Sequence, residues 1–302
     1  MIDTSPPERD DAPVRLHHHG RVLADVVPYL RCPICADDLA VEGTALRCPA
    51  GHTFDIAKQG YANLLTGKAH LGTADTPEMV AARADFLGGG HFAPLAELVA
   101  ERAAALDPGE GCVLDAGAGT GHYLAAVLDR LPGRPGVALD ISKHALRRAA
   151  RAHPRIGALA WDVWRPLPVR TGAVGVLIDV FAPRSGAEFH RVLRPDGALI
   201  VVTPAPHHLG ELVERLGLLS VDERKADRVA DSVGERFAPA GAWSLDFPLS
   251  LTHADAASLV TMGPSARHTE PEILRARIAA LAEPVKVTAA FEVRAFDVRP
   301  ES

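Results

Sequence analysis

Residues 31–54 read RCPICADDLAVEGTALRCPAGHTF, and this short span holds three of the four cysteines of the chain together with a histidine. Two residues separate Cys32 from Cys35, and three residues separate Cys48 from His52. Side chains paired in this way can converge on one ion, and three thiolates with one imidazole form a tetrahedral donor set for Zn²⁺. The spacing therefore predicts a zinc site with these four side chains as its ligands.

Other uses of these cysteines fit less well. Disulfide bonds are disfavoured in a cytoplasmic protein, and a redox Cys-x-x-Cys pair would not need Cys48 and His52. Four protein ligands leave no open coordination position, so we expect the metal to be structural. It would replace the hydrophobic core that about forty residues cannot build alone. The remaining cysteine, Cys112, begins an apolar stretch and is predicted to be buried packing.

The length and composition exclude several classes of protein. The 302 residues, of which 47% are hydrophobic, can build one large core or two unequal ones. There is no apolar run of about 18 residues and no secretory signal pattern, so we expect a cytoplasmic protein without membrane association. Residues 1–28 are predicted to be a disordered extension, and its His17–His19 tract is interpreted as solvated rather than as a weak metal site.

A different pattern begins at Cys112, where CVLDAGAGTGHYLAAVLDRL combines a short apolar strand, a glycine-rich turn and a helical repeat. Gly117, Gly119 and Gly121 allow a tight turn that a ligand can approach closely, at the N-terminal end of a helix. A nicotinamide-binding domain uses a similar turn, but its Gly-x-Gly-x-x-Gly spacing would place glycine where this chain has His122.

Aspartates end three successive predicted strands. Asp115 precedes the glycine turn, Asp140 ends GVALD, and Asp162 ends GALAWD. A carboxylate at the second position can accept both hydroxyls of a ribose, and the third would lie near an adenine amino group. Taken singly, each aspartate is explained equally well as a strand-end or helix-cap residue. Further predicted strands lie at 174–183, 197–204 and 291–298, and their alternation with helices indicates a mostly parallel sheet.

The LDAGAGTG stretch resembles class I S-adenosylmethionine-dependent methyltransferases. The resemblance implies an α/β fold with a Rossmann-like, mostly parallel seven-stranded sheet, here preceded by a small zinc-binding domain. It implies S-adenosylmethionine as cofactor, held by the glycine turn with His122 and by the three aspartates. It also suggests that His91, in the segment GGGHFAPL, reaches the cofactor, although a packed pair of His91 with Phe92 is an equally good interpretation.

The zinc pattern combined with this domain is similar to the bacterial 23S ribosomal RNA guanine-N1 methyltransferases. The similarity includes KQGYANLL (58–65), ADTPEMVAARADFLGGGHFAPL (74–95), VFAP (180–183) and RVLRPDGALIVVTPAPHHLGEL (191–212). It implies methylation of a hairpin of 23S rRNA near the peptide exit tunnel, a homodimer and, in some members, resistance to tylosin-like macrolides. The segment TMGPSARHTEPE departs from the family, since Arg267 and His268 stand where aromatic residues are expected.

These patterns divide the chain into four parts. The extension of residues 1–28 is followed by a zinc-binding RNA-recognition module at 29–68, a helical linker at 69–110 and the methyltransferase domain at 111–302. The linker helix is predicted over PEMVAARADFL, whose apolar residues recur at helical spacing and whose Pro77 and Glu78 suit a first turn.

RNA binding needs a local basic surface, because the formal net charge of the chain is −6. Lys143, Arg147 and Arg151 follow one another at i, i+4 and i+8 with Arg148 and Arg155 nearby, although a solvated helix face is the simpler interpretation. A second set of basic residues surrounds the zinc pattern and favours that module for RNA docking. This set consists of Arg21, Arg31, Arg47, Lys58 and Lys68.

Methyl transfer from a sulfonium needs alignment of the reacting atoms, and guanine N1 also needs a base to take its proton. The end of the fourth predicted strand, IDVFAP, is our candidate for the acceptor wall. Asp179 is the candidate base and Phe181 the candidate stacking face, while a hydrogen-bonded strand-end carboxylate is an equally good interpretation of Asp179.

Two other functions fit parts of the sequence. A small-molecule methyltransferase of a biosynthetic pathway would keep the cofactor site but would not need a basic zinc module. A non-catalytic RNA- or ribosome-binding protein would not need the intact glycine turn and the three aspartates.

Overall fold

A computed structural model describes residues 18–67, 74–218, 233–263 and 270–300. His17, Lys68, Arg267 and His268, which the sequence analysis singled out, lie outside these ranges, so the predictions made for them are not taken further. None of the helices in the described ranges has both the length and the apolar character required to cross a bilayer.

The N-terminal part consists of a helix and a small sheet around the cysteine motif. Helix α1 and a short 3-10 turn precede three antiparallel strands in the order β1-β2-β3. Their bounds are α1 His18–Val26, the 3-10 turn Val27–Tyr29, β1 Ala40–Glu42, β2 Ala45–Arg47 and β3 Thr53–Asp55.

Helix α1 corrects the prediction that residues 1–28 are disordered throughout. Leu23 and Val26 are fully buried, and Val26 lies against the large sheet where Gly157 leaves room for it. A Cβ atom at Gly157 would come within 2.4 Å of Val26 Cγ2. The apolar residues of this short helix share one face, and the polar composition of the preceding residues concealed that periodicity.

The methyltransferase part is built on one large sheet. Its strands are β4 Tyr61–Asn63, β5 Cys112–Ala116, β6 Gly136–Asp140, β7 Ile156–Ala160, β8 Val174–Val180, β9 Leu193–Pro204, β10 Phe237–Leu251 and β11 Val285–Val298. Its helices are α2 Pro77–Gly88, α3 Ala93–Leu106, α4 His122–Arg130, α5 Lys143–Ala152, α6 Gly186–Val192, α7 Gly210–Leu216, α8 His253–Thr261 and α9 Pro271–Ala279. A second 3-10 turn, Gly234–Arg236, precedes β10.

The strand order is β10-β11-β9-β8-β5-β6-β7-β4. Strands from β9 to β4 pair in parallel, whereas β11 and β10 add antiparallel at the other side. The predicted mostly parallel sheet is therefore confirmed, with one correction to its size. Strand β4, which belongs to the predicted zinc-module range, pairs with β7 and makes an eighth strand. Three residues without strong alternation carried too little signal for a sheet edge to be predicted.

Helices cover both faces of the sheet, so its central strands are apolar throughout. Every residue of β5, β7 and β8 is buried, as expected for parallel strands between two helical layers. Cys112 is fully buried in β5, in agreement with its predicted packing role. Helix α3, within the predicted linker, buries Leu95, Val99 and Ala103 completely and is thus part of the main core.

The packing of α1 gives a stability prediction. Leu23→Ala should lower the free energy of unfolding by about 2–5 kcal/mol, because it leaves a cavity between α1 and its neighbours. Asp25→Ala changes an exposed residue of the same helix and should shift that free energy by at most about 0.5 kcal/mol. Urea denaturation of both variants provides the measurement. Equal stabilities would show that α1 does not pack on the sheet.

Candidate active site and metal centre

The four predicted zinc ligands converge at one end of the small sheet. Cys48 Sγ lies 3.3 Å from His52 Nδ1 and 3.6 Å from Cys35 Sγ, and Cys32 Sγ lies 3.6 Å from the same ring nitrogen. All four donor atoms lie within 4.8 Å of one another. These spacings match the edges of a tetrahedron with metal–ligand bonds of about 2.0–2.3 Å, so the donor set fits Zn²⁺ with no open position.

Two backbone turns hold the ligand pairs. The Cys32 N–H donates to the Asp37 carbonyl at 2.7 Å, and the Ala36 N–H returns to the Cys32 carbonyl at 2.9 Å. In the second turn the Gly51 N–H donates to the Cys48 carbonyl at 2.9 Å, while the Cys48 N–H donates to the carbonyl of His52 at 3.1 Å. The turns hold the backbone of Cys32 and Cys48, the first ligand of each pair.

A loop of the large domain contacts the chain on both sides of Cys32. Arg170 donates from Nε to the Leu30 carbonyl at 2.9 Å and pairs with Asp38 at 2.7 Å. The Arg31 N–H also donates to the Pro168 carbonyl at 3.1 Å. Hydrogen bonds just before the first cysteine and an ion pair after it thus fix the position of the module relative to the sheet.

The glycine turn lies between β5 and α4, as predicted. Gly117, Gly119 and Gly121 have φ angles of +97°, +53° and +79°, a region that favours glycine. A Cβ atom at Gly117 would lie 2.4 Å from Ala182 Cβ, and one at Gly121 would lie 3.0 Å from Ala149 Cα. The turn is therefore packed against the residues after β8 and against α5.

Asp140 ties this turn to the next strand. Its Oδ2 accepts from the Gly119 N–H at 2.8 Å, and its Oδ1 accepts from the Ser142 N–H at 2.7 Å. Burial raises the pKa of Asp140, and these two N–H donors oppose the shift. Asp162 follows β7, the neighbouring strand, and its Oδ1 accepts from the Trp164 N–H at 3.1 Å.

Asp115 is the polar group at the centre of the arrangement. It is buried, and among the described residues no donor pairs with its Oδ1. Burial, and then the carboxylates of Asp179 and Asp140, raise the pKa of Asp115 well above its ordinary value. A cationic ligand would reverse that shift, because an adjacent positive charge favours the ionised carboxyl group. The acidic environment and the glycine cradle thus fit the sulfonium and ribose of S-adenosylmethionine.

The two predicted acceptor residues lie on the opposite side of Gly117. Phe181 has a φ angle of +57° and remains 40% exposed, with its ring 6.4 Å from that of Tyr123 and 5.7 Å from that of Phe291. Asp179 is fully buried, and its Oδ1 accepts from Arg184 Nε at 3.0 Å. Phe181 is thus available for contact with a ligand, whereas Asp179 is held inside the fold.

The two histidines assigned to the cofactor are placed differently. His91 stacks on Phe86 with ring centroids 4.6 Å apart, and its Nε2 lies 3.3 Å from an oxygen of Asp255 on α8. His122 begins α4 and faces a hollow beside α5, where burial lowers its pKa. The stacking partner of His91 is therefore Phe86, and not Phe92 as in the packed-pair interpretation.

Two of the basic residues near the zinc module have charged protein neighbours. Arg47 pairs with Glu42, and burial, together with Arg191, lowers the pKa of Arg31. Arg155, on the other side of the molecule, donates to the carbonyls of Leu131, Arg134 and Leu128 and is used structurally.

Comparison with known proteins supports both parts of this site. The family model described as RlmA, N-terminal, matches residues 30–69, and a model described as a methyltransferase domain matches residues 113–197. A protein of Micromonospora griseorubida, provisionally named a 23S rRNA (guanine-N1)-methyltransferase, is 56% identical over 91% of this chain and 99% of its own length. The 23S rRNA (guanine(748)-N1)-methyltransferase of Streptomyces fradiae is 49% identical over 85% of this chain and 92% of its own length.

The chain belongs to the 23S rRNA (guanine-N1)-methyltransferase family. The resemblance stated from the sequence is thereby confirmed, and so is the fold class of a class I S-adenosylmethionine-dependent methyltransferase with an N-terminal zinc domain. The matched models and the Cys3His cluster also confirm S-adenosylmethionine and structural zinc as the cofactors.

Two arginines of this methyltransferase site escaped the sequence analysis. Arg83 of α2 lies over the glycine turn, with Nη1 3.5 Å from a Cβ built on Gly119, and forms an ion pair with Asp75. Arg184 meets Asp179 only because the chain turns sharply after β8. In PEMVAARADFL, a charged residue within an otherwise apolar helical pattern was the sequence feature that could have identified Arg83. The sequence around Arg184 has no comparable feature.

The metal centre predicts a specific zinc dependence. The purified methyltransferase should contain about one zinc ion per chain, and Cys48→Ser should lose it, together with resistance of residues 30–69 to proteolysis. Cys112→Ala, which changes the cysteine in β5, should keep the metal. Elemental analysis and limited proteolysis measure these outcomes, and a metal-free wild-type protein would contradict the assignment.

Proposed function

We propose that the protein transfers a methyl group from S-adenosylmethionine to N1 of a guanine in a 23S rRNA hairpin near the peptide exit tunnel. The observation that carries the proposal is the 49% identity to the Streptomyces fradiae enzyme over 85% of this chain, and the RlmA N-terminal model matches the zinc segment separately. A small-molecule methyltransferase would not require the attached zinc module, and a non-catalytic binding protein would not require the intact cofactor cradle.

In this proposal the chain has two working parts. The zinc-binding segment 29–68 contacts folded RNA, and the domain from 111 to the C-terminus carries out the transfer, with the segment 69–110 between them. The hydrogen bonds of Arg31 and Arg170 keep the first part at a constant distance from the second. A rigid connection favours catalysis, because methyl transfer depends on the alignment of acceptor and donor.

The cofactor, when bound, supplies an electrophilic methyl group on a positively charged sulfur. Gly117, Gly119 and Gly121 form the floor of its site, and Asp140 accepts hydrogen bonds from the ribose hydroxyls. Asp162 is assigned to the adenine side, and Asp115 to the electrostatic stabilisation of the cation. His122, which follows Gly121 at the start of α4, and His91, beside Asp255, are also assigned to cofactor binding.

The acceptor guanine is assigned to the surface formed by Phe181. Its exposed ring offers a stacking face, as is common where an RNA base is drawn out of its helix. Asp179 is the proposed base for the N1 proton. Arg184 donates to Asp179 Oδ1, so its guanidinium must turn away when the guanine enters. The carboxylate of Asp179 then accepts the N1 proton of the guanine instead of the hydrogen bond from Arg184.

The proposal extends to the setting of the reaction. We place the protein in the cytoplasm as a homodimer, and the modified hairpin lowers the susceptibility of ribosomes to tylosin-type macrolides. The family resemblance supports each of these points.

The proposed reaction predicts a defined mark on RNA. A methyl group on N1 blocks Watson–Crick pairing, so reverse transcription of treated 23S rRNA should stop at the modified guanine. The hairpin that contains guanine 748 is the expected position, and untreated RNA is the control. Absence of a stop, with methylation of a small metabolite instead, would contradict the proposal.

The role of Asp179 predicts a selective loss of rate. Asp179→Asn cannot accept the proton, and single-turnover methyl transfer should slow by about 10²–10⁴-fold. Cofactor affinity, measured by titration, should change by less than about twofold, because the substitution removes no interaction that binds the cofactor equally in the ground state and the transition state. Asp129→Asn, at an exposed carboxylate of α4, is the matched control. An unchanged rate, or an equal loss of cofactor affinity, would remove Asp179 from the mechanism.

A further inference from the structure

Helix α5 carries basic side chains that the fold does not use. Most arginines in the described ranges hold a carboxylate or a carbonyl, as Arg134 does with Asp107 and Arg191 does with Glu188. In contrast, no described acidic oxygen lies within 4.0 Å of the charged groups of Lys143, Arg147, Arg148 or Arg151. All four are exposed.

Three of these side chains, Arg147, Arg148 and Arg151, line one hollow on the surface. Its volume is about 410 Å³, and the residues that complete its wall include Thr120 and His122 of the cofactor turn. The opposite wall is formed by the C-terminal part of α2, around Leu87 and Gly88. Among the described residues, no group pairs with the buried Nε2 of His122.

The hollow is linked mechanically to the cofactor site. Ala149, on the buried side of α5, lies so close to Gly121 that a Cβ there would stand 3.0 Å from its Cα. Ser142 caps α5 through the Ala145 N–H at 3.4 Å, and its own N–H donates to Asp140. The backbone of α5, which carries the three arginines, is therefore held against the cofactor turn.

We propose that this hollow, which we call the α5 hollow, binds the phosphodiester backbone of the substrate RNA. The proposal rests on the proposed function and adds a second RNA contact, separate from the zinc module. Its wall offers guanidinium groups that can grip a phosphate with two parallel hydrogen bonds, and a cavity of this size accommodates a phosphate with its sugar.

Charge distribution favours RNA as the occupant. The chain has a formal net charge of −6, so an anionic polymer is repelled over most of its surface and attracted where unpaired cations cluster. Phosphate contacts of this kind position an RNA without reading its sequence. The α5 hollow would therefore fix the register of the RNA backbone, and the choice of guanine would be made elsewhere.

The test is the salt dependence of RNA binding by the full-length protein. The probe is a transcript of the 23S rRNA hairpin that contains guanine 748. In the double variant Arg147→Ala/Arg151→Ala, the dissociation constant should rise about tenfold or more at low salt. The slope of log affinity against log salt should also become shallower by about 1.4–1.8, for two lost phosphate contacts. Affinity for S-adenosylmethionine should not change.

Two further variants separate the hollow from general charge effects. Arg275→Ala/Lys286→Ala removes the same charge from exposed residues of α9 and β11 and should leave the slope unchanged. Arg147→Lys/Arg151→Lys keeps the charge and should restore most of the slope while losing part of the affinity. An unchanged slope in the alanine variant, or an equal loss in the control pair, would overturn the inference.

These experiments distinguish a failure of the α5 hollow as an RNA-binding site from a failure of the proposed methyltransferase function. If the wild-type protein methylates the transcript and the alanine variant keeps its slope, only the α5 hollow is refuted. If the wild-type protein leaves no mark on the transcript, the proposed function itself fails. A fall in cofactor affinity as large as that in RNA affinity would show that α5 merely supports the glycine turn and would also refute the inference.

Discussion

The close packing around the glycine turn is the constraint on which the rest of the structure depends. Gly117 leaves room for Ala182 after β8, and Gly121 leaves room for Ala149 on α5. Asp140 completes the junction by accepting the N–H groups of Gly119 and Ser142. Side chains larger than hydrogen at the two glycines would separate the strand ends that carry the aspartates and Phe181. The glycine turn, these strand ends and the wall of the α5 hollow therefore share one rigid junction.

The zinc ion and the large sheet solve the same problem of stability in different ways. The sheet buries apolar strands between two layers of helices, whereas the short strands β1 to β3 have few residues to bury. Metal coordination supplies the missing free energy, and the hydrogen bonds of Arg31 and Arg170 transmit that rigidity to the main domain. The addition of β4 to the large sheet makes the two parts one continuous structure.

Arginine has two distinct uses in this protein. Arg134, Arg155 and Arg191 join loops by donating to carbonyl and carboxylate oxygens, so their charges are used within the fold. The arginines of α5 have no such partners among the described residues and are the ones available to a ligand. Basic residues counted along the sequence cannot separate these groups, because several of the partners lie far away in the chain, as Asp107 does from Arg134. Arg31 near the zinc motif illustrates this, since burial and the distant Arg191 lower its pKa.

The sequence by itself determined the features whose chemistry is local. The four zinc ligands and the glycine turn follow from short spacings, because neighbouring residues in a turn converge in any fold that contains it. The aspartates are predicted from strands that alternate with helices, since the carboxyl ends of parallel strands meet at one edge of a sheet. The tertiary structure decided which of these groups meet more distant partners. It paired Asp179 with Arg184 and stacked His91 on Phe86. It also packed α1 against β7 and placed three arginines of α5 beside the cofactor turn. Such contacts depend on the packing of whole elements, and no periodicity within one element encodes the neighbour that it will meet.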